Sequence, residues 1–297
     1  MFWGPAITLT DVAAAGATAL MGGVYALRRV TRRLLRFLLA GRPVELPADP
    51  FPEVWPSIIA QLVPLSRHLQ EPERARLLRL TQLFLREVPM EGCGGLELTE
   101  EVRVTIAATA CLLLLNLPYP RFPGLRRVLV YPHTFVPVHL TSPHTRGIQT
   151  EPTPTLGEAW KDGIVVLSWN SAKSESTNGG DGDGHNLVLH EFAHVLDYED
   201  GAADGRPILD SPDAVQKWGE IFAAEFERQQ DALSHAYDAA LDPYAATNRA
   251  EFFAVATEAF FETAPRLRDC LPELYEQLQR FYKQDPASRS GSAARPN

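Results

Sequence analysis

Cysteine is scarce. Cys93, Cys111 and Cys270 are the three in 297 residues, far apart and without a C-x-x-C pair. This excludes a disulfide scaffold and a cysteine-built zinc site, and leaves the expectation of buried thiols in a reducing compartment. Positive charge is short as well: 28 Lys and Arg face 37 Asp and Glu, a net charge of −9. So acidic a balance argues against direct nucleic-acid binding over a broad basic surface and leaves a local basic patch open. Long apolar runs are also missing. The nearest candidate, "VAAAGATALMGGVYAL" at 12–27, has Asp11 at its edge and falls short of the roughly 20 residues that a membrane span needs. "RRVTRRLLR" follows it directly, and Leu34, Leu35, Leu38 and Leu39 form an apolar stripe behind the arginines. The pattern favours a surface-lying or protein-packed amphipathic helix, with membrane association of this arm as the alternative.

What is present suits one folded domain. Apolar residues make up 45% of the chain, enough for a core of ordinary density. The proline-rich "RPVELPADPFPEVWP" ends a basic N-terminal arm, residues 1–50; the domain itself is expected at 51–286, and the polar residues 287–297 read as a disordered tail. Apolar periodicity predicts helices at 56–68, 71–88, 99–118, 185–198, 212–233, 248–263 and 271–283. The Val- and Leu-rich runs 125–132 and 163–169 read as strands, with a loop carrying one weak strand between them. "SAKSESTNGGDGDG" at 171–184 reads as a flexible, solvated connection, since its "DGDG" cannot supply an EF-hand in register. Few strands, flanking helices and a mainly helical C-terminal half make the fold class α+β.

Chemistry concentrates in "HNLVLHEFAHVLD" at 185–197. Val188, Leu189, Phe192, Ala193, Val195 and Leu196 form the apolar side of a helix, and His190 and His194 stand one turn apart away from it. Four-residue spacing lets two imidazoles take two corners of a zinc tetrahedron; Glu191, rotated by about 100°, is free to serve a water at an open corner as general base. A third ligand is needed. Asp197 and Asp200 occupy the places where a metzincin would have glycine and histidine, so a later carboxylate is expected. Glu251, Glu258 and Glu262 share a face of the helix at 248–263. Glu251 is a candidate ligand, but Asn248-x-x-Glu251 also reads as a capping box; Glu258 is the other candidate. Phe252, Phe253, Val255, Ala256, Phe260 and Phe261 read as core packing.

These blocks, with "DPYAATNRAEFFAVATEAFFE", "LYEQLQRFYKQDP", "VLVYPHTFV" and "GIVVLSWNSAK", resemble the Mlc titration factor A family of zinc metallopeptidases from about Trp55 to Pro286. The resemblance implies a zincin-like fold with a small mixed sheet and a gluzincin core related to the anthrax lethal factor peptidase domain. It implies one Zn²⁺ on His190, His194 and Glu251, with Glu191 and Tyr244 catalytic, Glu258 supporting or capping, and Asp197 either orienting a ligand or purely structural. The implied activity is cytoplasmic, aminopeptidase-like hydrolysis of peptides by activated water. It extends to regulation of sugar uptake through a transcriptional repressor, and the alternative is a non-catalytic sequestering partner of that repressor. The G-x-M-x-N segment by which gluzincin aminopeptidases anchor a substrate amine has no match, the methionines being Met1, Met21 and Met90. The strand at 163–169 is expected to pair with an extended peptide.

Overall fold

The computed structural model describes residues 44–133, 157–160, 163–178, 184–234 and 240–290. The basic stripe of the N-terminal arm, the weak strand expected between 135 and 155, most of the "DGDG" segment and the last seven residues lie outside them. The helices are α1 (Trp55–Leu62), α2 (Glu71–Glu87), α3 (Glu100–Leu114), α4 (Trp169–Asn178), α5 (Leu187–Asp197), α6 (Pro212–Ser234), α7 (Arg249–Glu262), α8 (Ala264–Cys270), α9 (Pro272–Tyr282) and α10 (Pro286–Ser290). The strands are β1 (Met90–Gly92), β2 (Arg127–Tyr131), β3 (Gly157–Trp160) and β4 (Ile164–Ser168). They form one mixed sheet in the order β1-β2-β4-β3. The first three run parallel, and β3 runs antiparallel to β4 with Gly157 opposite Leu167 and Trp160 opposite Ile164. This is the expected α+β, zincin-like arrangement.

Helix α3 starts where Thr99 accepts a hydrogen bond from Val102 N, and it is buried nearly all round, as its sequence requires. It packs against α1, α2 and α5. Helix α5 in turn touches β3 and β4 and lies along α7. Its inner face is fixed by Phe192, fully buried, with ring centroids 4.9 Å from Phe122 and 5.7 Å from Phe84. Helix α7 is fixed by Phe252, 5.6 Å from Phe222, and by Phe253, 5.8 Å from Trp218. Each buried aromatic contributes about 1.5–3 kcal/mol, so the two helices are anchored from behind by their apolar sides.

Several expectations are corrected. Residues 171–178 are not a flexible connection but belong to α4, which continues straight from β4. The strand at 163–169 is not an edge: β4 is hydrogen-bonded on both sides, and among the described residues β1 and β3 are the outer strands. The "MEGCGG" break contains β1, and the helix expected at 56–68 finishes as a 3-10 turn, Pro64–His68. A further helix, α8, precedes the one expected at 271–283, and residues 287–290 of the expected tail fold into α10. Of the three free cysteines only Cys111 is buried; Cys93 is partly exposed and Cys270 exposed.

Candidate metal centre

Two asparagines start the helices that build the site. Asn186 Oδ1 accepts a hydrogen bond from Leu189 N at 3.1 Å and opens α5. Asn248 Oδ1 accepts from Ala250 N at 2.9 Å and Glu251 N at 3.0 Å and opens α7. The asparagine half of the expected capping box therefore forms. The Glu251 carboxylate is directed to α5 instead, its Oε2 lying 3.0 Å from His190 Nε2 and 3.2 Å from His194 Nε2. The two Nε2 atoms are 3.2 Å apart. These three atoms are a close triangle, although Glu251 is 57 residues from His194 and 61 from His190 in sequence.

The triangle fits a metal ion. Ligand atoms on a tetrahedral zinc at about 2.0–2.1 Å are separated by about 3.3 Å, close to the three edges observed. The charge fits as well. Burial lowers the pKa of His190, but the hydrogen bonds to Glu251 and Glu258 and the charges of Glu258 and Glu191 overcome it and raise the pKa to about 10. Burial raises the Glu251 carboxyl, yet its hydrogen bonds to His190 and His194 hold it well below the usual carboxylate range. Positive charge is thus stabilised where the triangle converges.

The sequence comparison places the chain in a metallo-peptidase family. The pattern of the family described as glucose-regulated metallo-peptidase M90 matches residues 39–283. The chain belongs to the M90 metallo-peptidases, the family of Mlc titration factor A. It is 32% identical to the Mlc titration factor A proteins of Salmonella gallinarum and Salmonella typhi over 240 residues, 80% of this chain and 89% of theirs. An uncharacterized protein of Synechocystis sp. is 38% identical over 246 residues, 82% of this chain and 89% of its own.

In this M90 metallo-peptidase chain the support around His190 is as specific as the triangle. Glu258 Oε1 lies 2.7 Å from His190 Nδ1, and Glu258 Oε2 accepts from Asn186 N at 2.6 Å. Asn186 Nδ2 donates to Glu262 Oε1 at 2.8 Å. The three glutamates predicted to share a face of α7 therefore all meet α5: Glu251 at the triangle, Glu258 at the far nitrogen of His190, and Glu262 at the helix start. Of the two candidate ligands, the structure puts Glu251 in the triangle and Glu258 behind it. Glu191 is buried, 4% exposed, and its charge acts on both His190 and Tyr244.

Tyr244 stands on a 3-10 turn, Pro243–Ala246, with its ring centroid 6.0 Å from that of His190. Burial, the charges of Glu251 and Glu191 and a hydrogen bond to Glu251 push its phenol up to about 12. The phenol is therefore a proton-bearing donor at neutral pH. Asp197 does not reach the imidazoles as an orienting carboxylate. Its oxygens accept from Gly205 N at 2.9 Å and Arg206 N at 2.7 Å, closing the turn after α5. Gly205 has φ +73° and its Cα faces Arg249 O so closely that an added Cβ would lie 2.2 Å from that oxygen, so this turn is packed directly onto the start of α7.

Two supports were missed in the sequence. Asn186 carries a signal in hindsight, an N-cap residue one turn before His190. Gln229, which donates to Leu241 O and Asp242 O just ahead of the turn bearing Tyr244, carries none. Among the described residues no helix is long and apolar enough to cross a membrane.

Proposed function

We propose that the chain is a zinc-dependent metallopeptidase in which His190, His194 and Glu251 hold the ion, Glu191 is the general base and Tyr244 the donor to the oxyanion. The supporting observation is the 3.0–3.2 Å triangle of donor atoms with a buried glutamate beside it on α5. When bound, such an ion supplies Lewis acidity and brings the pKa of water toward about 7. Glu191 accepts the proton of the attacking water and returns it to the leaving amine nitrogen. Tyr244 Oη–H donates to the carbonyl oxygen as that oxygen gains charge. His190 Nδ1, occupied by Glu258, keeps the ring from turning away. An extended peptide pairs with the outer strand β3, antiparallel to β4 and in contact with α5, rather than with β4.

The finer reading is an aminopeptidase-like enzyme of the cytoplasm, with residues 51–286 as the peptidase domain, 1–50 as an arm that leaves membrane association open and 287–297 as a tail. Metal analysis of the purified protein, together with cleavage of amino-acid anilides and of longer peptides, tests it. Glu191→Gln should retain the metal and lose cleavage by at least about a hundredfold, the range typical of acid–base catalysis. Full cleavage by that variant contradicts the base assignment.

A second reading rests on the name of the relatives, Mlc titration factor A. In it the chain acts as a sequestering partner of a transcriptional repressor, with regulation of sugar uptake as the outcome. Co-purification of the repressor by Glu191→Gln and wild type alike, with no peptide cleaved by either, supports that reading over the enzyme.

A further inference from the structure

Tyr244 is half exposed and sits on a turn of four residues, too short to hold its own position. The fixing comes from elsewhere. Gln229, on α6 and 5% exposed, donates through Nε2 to two successive carbonyls, Leu241 O at 3.0 Å and Asp242 O at 3.1 Å. The neighbouring Gln230 donates to Ala246 O at the other end of the turn, at 3.2 Å. Asp242 Oδ1 accepts from Tyr244 N at 2.8 Å, and its Oδ2 lies 3.8 Å from Nε2 of His185, just ahead of α5. The turn is thus held at both ends by α6 and faces the start of the metal-site helix through one carboxylate.

We infer that Gln229 and Asp242 are positioning residues for Tyr244, setting where its hydroxyl stands relative to His190. The inference rests on the peptidase reading for its functional meaning, though not for its geometry. A buried amide donating both N–H groups to adjacent carbonyls fixes two peptide planes at once, and an unmet carbonyl there would be costly. Asp242 then fixes the Tyr244 amide, two residues further on. Loss of either contact should move the phenol while leaving the metal ligands, which α5 and α7 carry, in place.

The test uses the full chain labelled with 3-fluorotyrosine, the fluorine resonance of position 244 being identified by its loss in Tyr244→Phe. Gln229→Ala and Asp242→Ala should shift that resonance, whereas Asp242→Asn, which keeps the Oδ1 acceptor, should not. With an amino-acid anilide, the two alanine variants should lower kcat about tenfold or more, with KM and metal content within twofold of wild type. Combined with Tyr244→Phe, they should add no further loss. An unmoved resonance, losses that multiply in the Tyr244→Phe background, metal content that falls with activity, or Asp242→Asn behaving like Asp242→Ala overturns the inference. A wild type that holds metal but cleaves no peptide refutes the peptidase reading instead, and the fluorine measurement still decides the positioning.

Discussion

At His190 the two ring nitrogens face different carboxylates, Nδ1 toward Glu258 at 2.7 Å and Nε2 toward Glu251 at 3.0 Å. A neutral imidazole has one N–H and one lone pair. Donation from Nδ1 to Glu258 leaves the Nε2 lone pair for a cation. Glu258→Gln should break this arrangement, because both partners of the carboxylate, His190 Nδ1–H and Asn186 N–H, are donors. An amide can accept from only one of them and turns its own N–H₂ toward the other. Zinc affinity, read by competition with a chromophoric chelator, should fall about 10–100-fold; unchanged affinity would assign the orientation of His190 to other contacts. The histidine pair was legible in the sequence because four-residue spacing on a helix is a local property. Glu251 was legible only as one of several acids, and the reason is instructive: the same position suits a cap and a ligand, and the choice depends on where α5 lies. Asp197 shows the converse. Its place beside the motif suggested an orienting role, but the backbone amides of the following turn take both its oxygens.

At the scale of elements, the site is the seam between α5 and α7, which run in opposite directions so that Glu251, Glu258 and Glu262 descend along the seam from His194 toward Asn186. The start of α7 fixes the upper end of this ladder. Asn248→Ala removes the acceptor for Ala250 N and Glu251 N and should cost about 1 kcal/mol in urea unfolding. It should also weaken zinc binding, since Glu251 lies in the first turn it caps; Asn248→Asp, which keeps the acceptor, should do neither. A full loss of stability with zinc binding untouched would separate the cap from the ligand. The helices here followed from apolar period and caps. The strands β1 and β3 did not, being three and four residues long, too short for a period to show. Helix α4 was hidden by its Ser-, Asn- and Lys-rich sequence, which local preference assigns to a loop. The place of β4 inside the sheet depends on pairing with residues more than 30 positions away, as in Arg127 opposite Ile164, and no local pattern encodes it.

Over the whole molecule, the three donor atoms of the candidate metal centre come from two separated stretches that only the folded chain brings within 3.2 Å. An unfolded chain offers isolated histidines and glutamates of far lower affinity, so the proposed metal binding would be linked to folding. At free zinc a hundredfold above Kd the linkage is worth about 2.7 kcal/mol. For a domain of this size each kcal/mol moves the melting temperature by about 2–4 °C, giving an expected rise of about 5–10 °C over the chelator-treated protein. Glu191→Gln should show the same rise, because it removes a proton acceptor and leaves the triangle intact. His194→Ala and Glu251→Ala should lose most of it, each deleting one vertex. If Glu251→Ala rose as far as the wild type while His194→Ala did not, the ion would be held by the histidines with some other partner, and the carboxylate of α7 would be left with its hydrogen bonds to the imidazoles alone.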